Sequence, residues 1–149
     1  MTPTDVDDTT SWQRVASRAA HPSAVPELLG PGELLLEIAA GLGRVTVPFD
    51  FTAAPTQALT RELVLTTPIY DVWVMHWPAG EAADLHVHQH HVAFHVVSGE
   101  LVDEQHTLHD VRRRTLAAGD TALVPAATPH RMTSTAATTT VHVHAKDPE

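Results

Sequence analysis

The chain of 149 residues predicts an all-β fold, an antiparallel β-barrel or jelly roll with a short N-terminal helical segment. Three observations carry that expectation. After residue 58 the sequence breaks into short runs rich in Val, Thr and Leu. Gly, Pro or Asp punctuates those runs at close intervals. Helical patterning is confined to the stretch before them.

Taken in order, residues 1–10 are dominated by Thr, Asp and Pro, with little to bury, and read as a disordered tail. Residues 11–149 read as a single domain whose helical lead-in spans about 11–43. Ser11 is the expected N-cap of a short helix in "SWQRVASRAA". A second helix is expected in "PGELLLEIAAGLG", with Pro31 at its start and Gly41 or Gly43 to stop it. Strands are then expected in "LTRELVLT", "YDVWVMHW", "DLHVH", "VAFHVVSGELV", "RRTLAAGD", "TALVP" and "TTTVHVHA". No internal repeat of the kind that marks a solenoid is visible.

Composition narrows the function classes. The formal charge of −9 argues against nucleic acid or an anionic membrane as a partner, since phosphate contacts need clustered Lys and Arg. The one basic run, Arg112-Arg113-Arg114 beside Asp110, reads as a solvated face. Without cysteine, the fold owes nothing to disulfides and a metal site must use nitrogen and oxygen ligands. "MTPTDVDDTTSW" has no apolar stretch of the secretory type, and no run approaches the length of a membrane span. A soluble, cytoplasmic chain, monomeric or homodimeric, is the expectation.

"GEAADLHVHQHHVAFHVVSG" carries five of the twelve histidines. On a strand, His86 and His88 point the same way, with Leu85 and Val87 opposite. Two imidazoles so spaced can grip one metal ion, although a solvated pair shares the spacing. Downstream, "GDTALVPAATPHRM" ends a turn and a short apolar strand on His130.

These two stretches resemble the paired sequence motifs of the cupin superfamily. Gly80, His86, His88, Gly99, Gly119, Pro125 and His130 fall on that pattern in order. The resemblance implies a small β-barrel in which His86, His88 and His130 hold one metal. Two positions depart from it: Ala127 replaces an inner glycine, and Val92 stands where a glutamate ligand is usual. Three neutral imidazoles leave a dication's charge uncompensated, which favours an anionic substrate such as a thiolate or carboxylate. The same ligands serve catalytic zinc, so they do not name the metal.

Residues 59–148 further resemble cysteine dioxygenases, the thiol dioxygenase family. In that family an arginine on the strand before the metal strand pairs with the substrate carboxylate, and Arg61 of "TREL" matches it. The residues alone leave Arg61 equally readable as a strand arginine paired with Glu62. Trp77, Pro78 and Gly80 also match the family's approach to the metal strand. The family's C-terminal Ser-x-His-x-Tyr series corresponds to Thr140, His142 and His144, so an imidazole replaces the phenol. A histidine-rich solvated edge strand is the bland alternative there. The crosslinking cysteine of animal members is absent, its place again taken by Val92.

The resemblance implies Fe(II) first and Ni(II) second, O2 as co-substrate, and L-cysteine or a similar small thiol carboxylate. The product is a sulfinate or that of a specialised variant, with Thr140, His142 and His144 managing protons. Rival readings are a nickel, manganese or copper cupin cleaving C–C or C–S bonds, and a non-catalytic ligand-binding cupin. Of the other histidines, His90 and His91 are expected at a rim, and His95 pointing outward. His76 is expected near a sheet edge or behind the ligands, and His106 and His109 at the surface. His21 has no assigned role. Val92, Phe94 and Val96 are expected to face inward.

Overall fold

The computed structural model describes residues 30–46 and 58–147. The 1–10 tail, the Ser11 helix and His21 lie outside the described residues. Helix α1 spans Pro31–Thr46. Eight strands follow: β1 (Thr60–Thr66), β2 (Tyr70–Trp77), β3 (Val92–Ser98), β4 (Glu100–His106), β5 (Val111–Ala117), β6 (Thr121–Val124), β7 (His130–Ser134) and β8 (Thr138–Ala145).

The helix begins where proline's fixed φ suits the first turn and its missing N–H costs nothing. The Glu33 carboxylate reaches back to accept the Gly30 amide at 3.2 Å, and Arg44 sits in the last turn. Leu35, Ile38, Ala39 and Leu42, spaced to share one face, are all buried. Neither Gly41 nor Gly43 stops the helix, contrary to expectation. Gly43 is needed inside it: a Cβ there would lie 2.1 Å from the His95 ring. That contact also corrects His95. It does point away from the barrel interior, but α1 covers it, leaving it buried with Nδ1 2.8 Å from Thr121 Oγ1.

The strands form two antiparallel sheets, one ordered β1-β2-β8-β3-β6 and the other β5-β4-β7. Between them lie Trp77, Phe94, Val96, Leu101, Val124 and Met132. The outer face of the larger sheet buries Tyr70, Val72, Val74, Ala93, Val141 and Val143 against α1. Alternation along β2 and β3 therefore serves two cores at once, which is why those strands read as nearly continuous apolar runs. β8 instead gives Val141 and Val143 to the outer core and alternates them with polar residues. Val92, Phe94 and Val96 belong to the inner core, as their parity requires.

Two sequence expectations change, and one alternative falls. β8 is no edge strand: it lies between β2 and β3, and its first six residues are buried. β2 is also interior to its sheet, so His76 is not at an edge. It is half-buried, with Nδ1 3.2 Å from Thr139 Oγ1. Last, "DLHVH" is not a strand. It runs as a loop beside β7, joined by single bridges at Ala82–Thr133 and His86–His130. Two isolated bridges leave no continuous ladder, so the alternation of Leu85, His86, Val87 and His88 survives without a strand. The partner of that loop, β7, has no counterpart among the expected strands.

The β3–β4 turn requires Gly99. Its φ is +89°, and a Cβ would meet the Ala137 carbonyl oxygen at 2.3 Å. The basic run divides by parity along β5. Arg113 meets Glu104 at 2.6 Å on one face of the small sheet, and Arg114 reaches buried Asp103 at 3.5 Å on the other. The run is exposed as expected, but two of its guanidinium groups hold acidic partners rather than only water.

Candidate metal centre

His86, His88 and His130 converge although they come from a loop and a strand. Reciprocal backbone hydrogen bonds, His86 N–H to His130 O at 3.0 Å and His130 N–H to His86 O at 2.9 Å, set the two chains side by side. The Ala127 amide donates to the His88 carbonyl at 2.9 Å and pins the far end of the loop. Ala127 does this at a φ of +63°, the left-handed conformation that the motif's usual glycine adopts without strain.

The three Nε2 atoms lie 3.0 Å apart for His86–His88 and 3.2 Å apart for each pair with His130. Bonds of about 2.0–2.1 Å meeting at about 90–110° span roughly 2.9–3.4 Å between donor nitrogens, so the cluster fits one ion. The outer nitrogens give a second test. His86 Nδ1 is 2.7 Å from the Asp84 carbonyl oxygen, and His130 Nδ1 is 2.9 Å from Asp103 Oδ1. Each Nδ1 must donate to its oxygen, so in the neutral rings both Nε2 atoms turn lone pairs toward each other. That arrangement is repulsive until a cation stands among them. Among the described residues, these three form the one cluster suited to holding a metal.

Electrostatics favour the ligating, uncharged imidazole. Burial, helped by neighbouring His144, His86 and His130, pushes His88 down to about 4. Burial by itself would raise Asp103. Hydrogen bonds from His130 and Gln105 and the charge of Arg114 overcome it and hold the carboxyl below its ordinary range.

The histidines open onto a cavity of about 390 Å³ also lined by Arg61, Trp73, Met75, Trp77 and Met132. Arg61 stands at its exposed side with the guanidinium carbon 5.2 Å from the centre of the Trp73 ring. Thr140, His142 and His144 share the β8 face that looks into the barrel, but only two of them join by hydrogen bonds. Thr140 Oγ1 accepts the Trp77 indole N–H at 3.0 Å and lies 2.8 Å from His142 Nε2. His142 stacks on Phe94 at 5.4 Å. His144 meets His88 edge-on, ring centres 5.2 Å apart. Burial pushes His144 down to about 4, with Arg61 adding to the effect and Asp71 opposing it. His142 is driven well below the ordinary histidine range, chiefly by burial and next by His144.

The remaining histidines stay off the cluster. His90 lies 3.6 Å from Asp147, His91 Nδ1 accepts the Ala126 amide at 3.0 Å, and His106 Nε2 lies 3.1 Å from Glu104. His109 is exposed in the β4–β5 hairpin. Sequence reading missed Asp103 and the Trp77 indole as parts of the site. Asp103 did leave a signal, because it alternates with core residue Leu101 and so faces inward.

A two-sheet antiparallel barrel with three inward histidines at one end defines a class: a small double-stranded β-helix with a metal-competent pocket. Residues 73–145 match the family model described as a cupin domain, and match and fold together support membership of the cupin superfamily. Solved structures agree on the fold. A cupin superfamily protein of Desulfitobacterium hafniense is 15% identical, covering 63% of this chain and 83% of its own, with a TM-score of 0.57. A conserved protein with a double-stranded β-helix domain from Klebsiella pneumoniae is 28% identical, covering 64% and 80%, with a TM-score of 0.56. KdgF from a Halomonas species is 21% identical, covering 63% and 83%, with a TM-score of 0.54. Among curated proteins none matches the chain.

Proposed function

We propose that the chain is a mononuclear metal-dependent oxygenase acting on a small thiol carboxylate, with L-cysteine the first candidate. The observation that carries this reading is the shared cavity: three convergent imidazoles without a carboxylate, and a guanidinium on the same wall system. His86, His88 and His130 would hold the metal, Fe(II) first and Ni(II) second, which would supply the activation of thiolate and O2.

The protein's own residues bind and orient. Arg61, its plane steadied by Trp73, offers a two-pronged donor to the substrate carboxylate. Trp73, Met75, Trp77 and Met132 limit water around the sulfur. Thr140, fixed by the Trp77 N–H, hydrogen-bonds His142, and that pair orients the groups beside the reacting sulfur. His144, uncharged near neutral pH, is too weak a base to keep the thiol proton, which leaves to solvent as substrate enters. Its neutral ring beside His88 offers a hydrogen bond that orients the sulfur. Both oxygen atoms pass to sulfur, which is oxidised to the sulfinic acid while O2 is reduced, so no external reductant is needed.

The test is oxygen uptake with L-cysteine by chain reconstituted separately with Fe(II) and Ni(II), with product mass read alongside. A product heavier by two oxygen atoms is expected. In the same assay Arg61→Ala raises KM by about 30–100-fold, the loss of one charge-assisted contact, with a smaller effect on kcat. Uptake with an unchanged KM in Arg61→Ala removes Arg61 from substrate binding, and no uptake with either metal removes cysteine.

A further inference from the structure

We propose that Asp103 is a positioning residue of the metal centre that supplies, one hydrogen bond behind His130, the negative charge missing from the ligand set. The inference rests on His86, His88 and His130 being metal ligands and is independent of the thiol substrate.

Asp103 is fully buried on the inward face of β4, between the apolar neighbours Leu101 and Met132. A carboxylate in such a place is costly unless its oxygens are occupied, and packing there is met by an apolar side chain, as Leu101 shows. Its oxygens are occupied in a particular way. Oδ1 accepts the His130 Nδ1–H at 2.9 Å. Oδ2 accepts the Gln105 amide at 2.8 Å and faces the Arg114 guanidinium at 3.5 Å.

Two consequences follow for the ligands. The first is orientation: His130 is locked with its Nε2 lone pair toward His86 and His88. The second is charge. A carboxylate on the far nitrogen makes an imidazole more basic and shares its charge with the metal. His86 has only the neutral Asp84 carbonyl in the equivalent place. At Val92, where a carboxylate ligand is usual in the resembling motif, the side chain is apolar and buried. The site therefore keeps three neutral first ligands, and its compensating charge sits one residue further out. Arg114 draws on that charge from the solvent side, being 45% exposed.

Anaerobic titration with Co(II), followed by its visible absorption, tests this alongside the iron midpoint potential and the melting temperature. Asp103→Asn is expected to weaken Co(II) binding about 10–100-fold and to raise the iron potential. Arg114→Ala removes a competing positive charge and is expected to act oppositely, tightening Co(II) by about 2-fold and lowering the potential. A carboxylate with only a structural role lowers melting temperature in both variants and moves neither metal readout in opposite directions. A folded Asp103→Asn chain that binds Co(II) as the wild type does overturns the inference. Should that variant fail to fold, unchanged or weaker binding by Arg114→Ala overturns it. Wild-type chain that takes up no Co(II) overturns the triad reading and this inference together. Normal Co(II) behaviour without thiol oxidation overturns only the proposed substrate.

Discussion

His130 and His86 bring their Nε2 atoms within 3.2 Å of each other, yet the protein holds them by opposite means. His130 is 2% exposed, sits on a strand paired with β4, and is backed by a buried carboxylate. His86 belongs to a partly exposed loop that touches β7 through isolated bridges and is backed by a backbone carbonyl two residues away. One ligand is built into the barrel wall and the other is laid against it. A strand-borne imidazole would fix where an ion sits, whereas loop-borne ones can be repositioned without remaking the core.

The sharpest way to break this contrast is to remove each ring. His130→Ala leaves Asp103 buried with a donor missing and is expected to lower stability by about 3 kcal/mol. His86→Ala, whose lost contact is local and solvent-facing, is expected to stay within about 0.5 kcal/mol of the wild type. Denaturant unfolding of metal-free protein separates the two, and equal losses contradict the distinction between wall and loop.

Acid probes the two faces of the cavity next. His88 and His144 are held at about 4 and His142 well below the ordinary 6.5, so the folded chain refuses protons that the unfolded chain accepts. Stability of metal-free protein therefore falls as pH drops from about 6.5 toward about 4, and these groups add no slope above that window. Melting temperature measured across the range is expected to decline less steeply in His144→Gln. An identical slope removes His144 from the protons refused by the fold.

The smallest expected effect concerns the turn that pins the loop. Ala127→Gly relieves a left-handed alanine, and after the extra entropy of glycine in the unfolded chain a gain of about 0.5 kcal/mol remains. Calorimetry is expected to show a slightly raised melting temperature with metal affinity unchanged. A lowered melting temperature contradicts strain at that turn.

Most of the barrel was legible in the chain because its strands are short runs rich in Val, Thr and Leu, bounded by Gly, Pro and Asp. β2 and β8 emerge where "YDVWVMHW" and "TTTVHVHA" place them, and "VAFHVVSGELV" divides at Gly99 into β3 and the start of β4. The ligand loop misled for a physical reason. "DLHVH" alternates like a strand, but alternation reports which side chains share a face, whereas a strand also needs a continuous partner. β7 was hidden in "HRMTS", whose polar residues give little β signal until β4 pairs with it. Gly43 looked like a helix stop because its purpose, room for the His95 ring, lies on a strand more than fifty residues away. The triad was legible through the resemblance to the paired cupin motifs, because the spacing of His86 and His88 suits a solvated pair as well as a metal site. Asp103 left only its alternation with Leu101, which turns it inward but does not say that it meets His130.

The most direct measurement of the central claim is an anaerobic Fe(II) titration of the wild type and of single alanine variants at His86, His88, His130, His142 and His144. A three-histidine centre predicts one equivalent bound by the wild type. Tight binding is then lost with any of the first three replacements and retained with either of the last two. Retention in His130→Ala, or loss in His144→Ala, contradicts it, the latter by making His144 a fourth ligand.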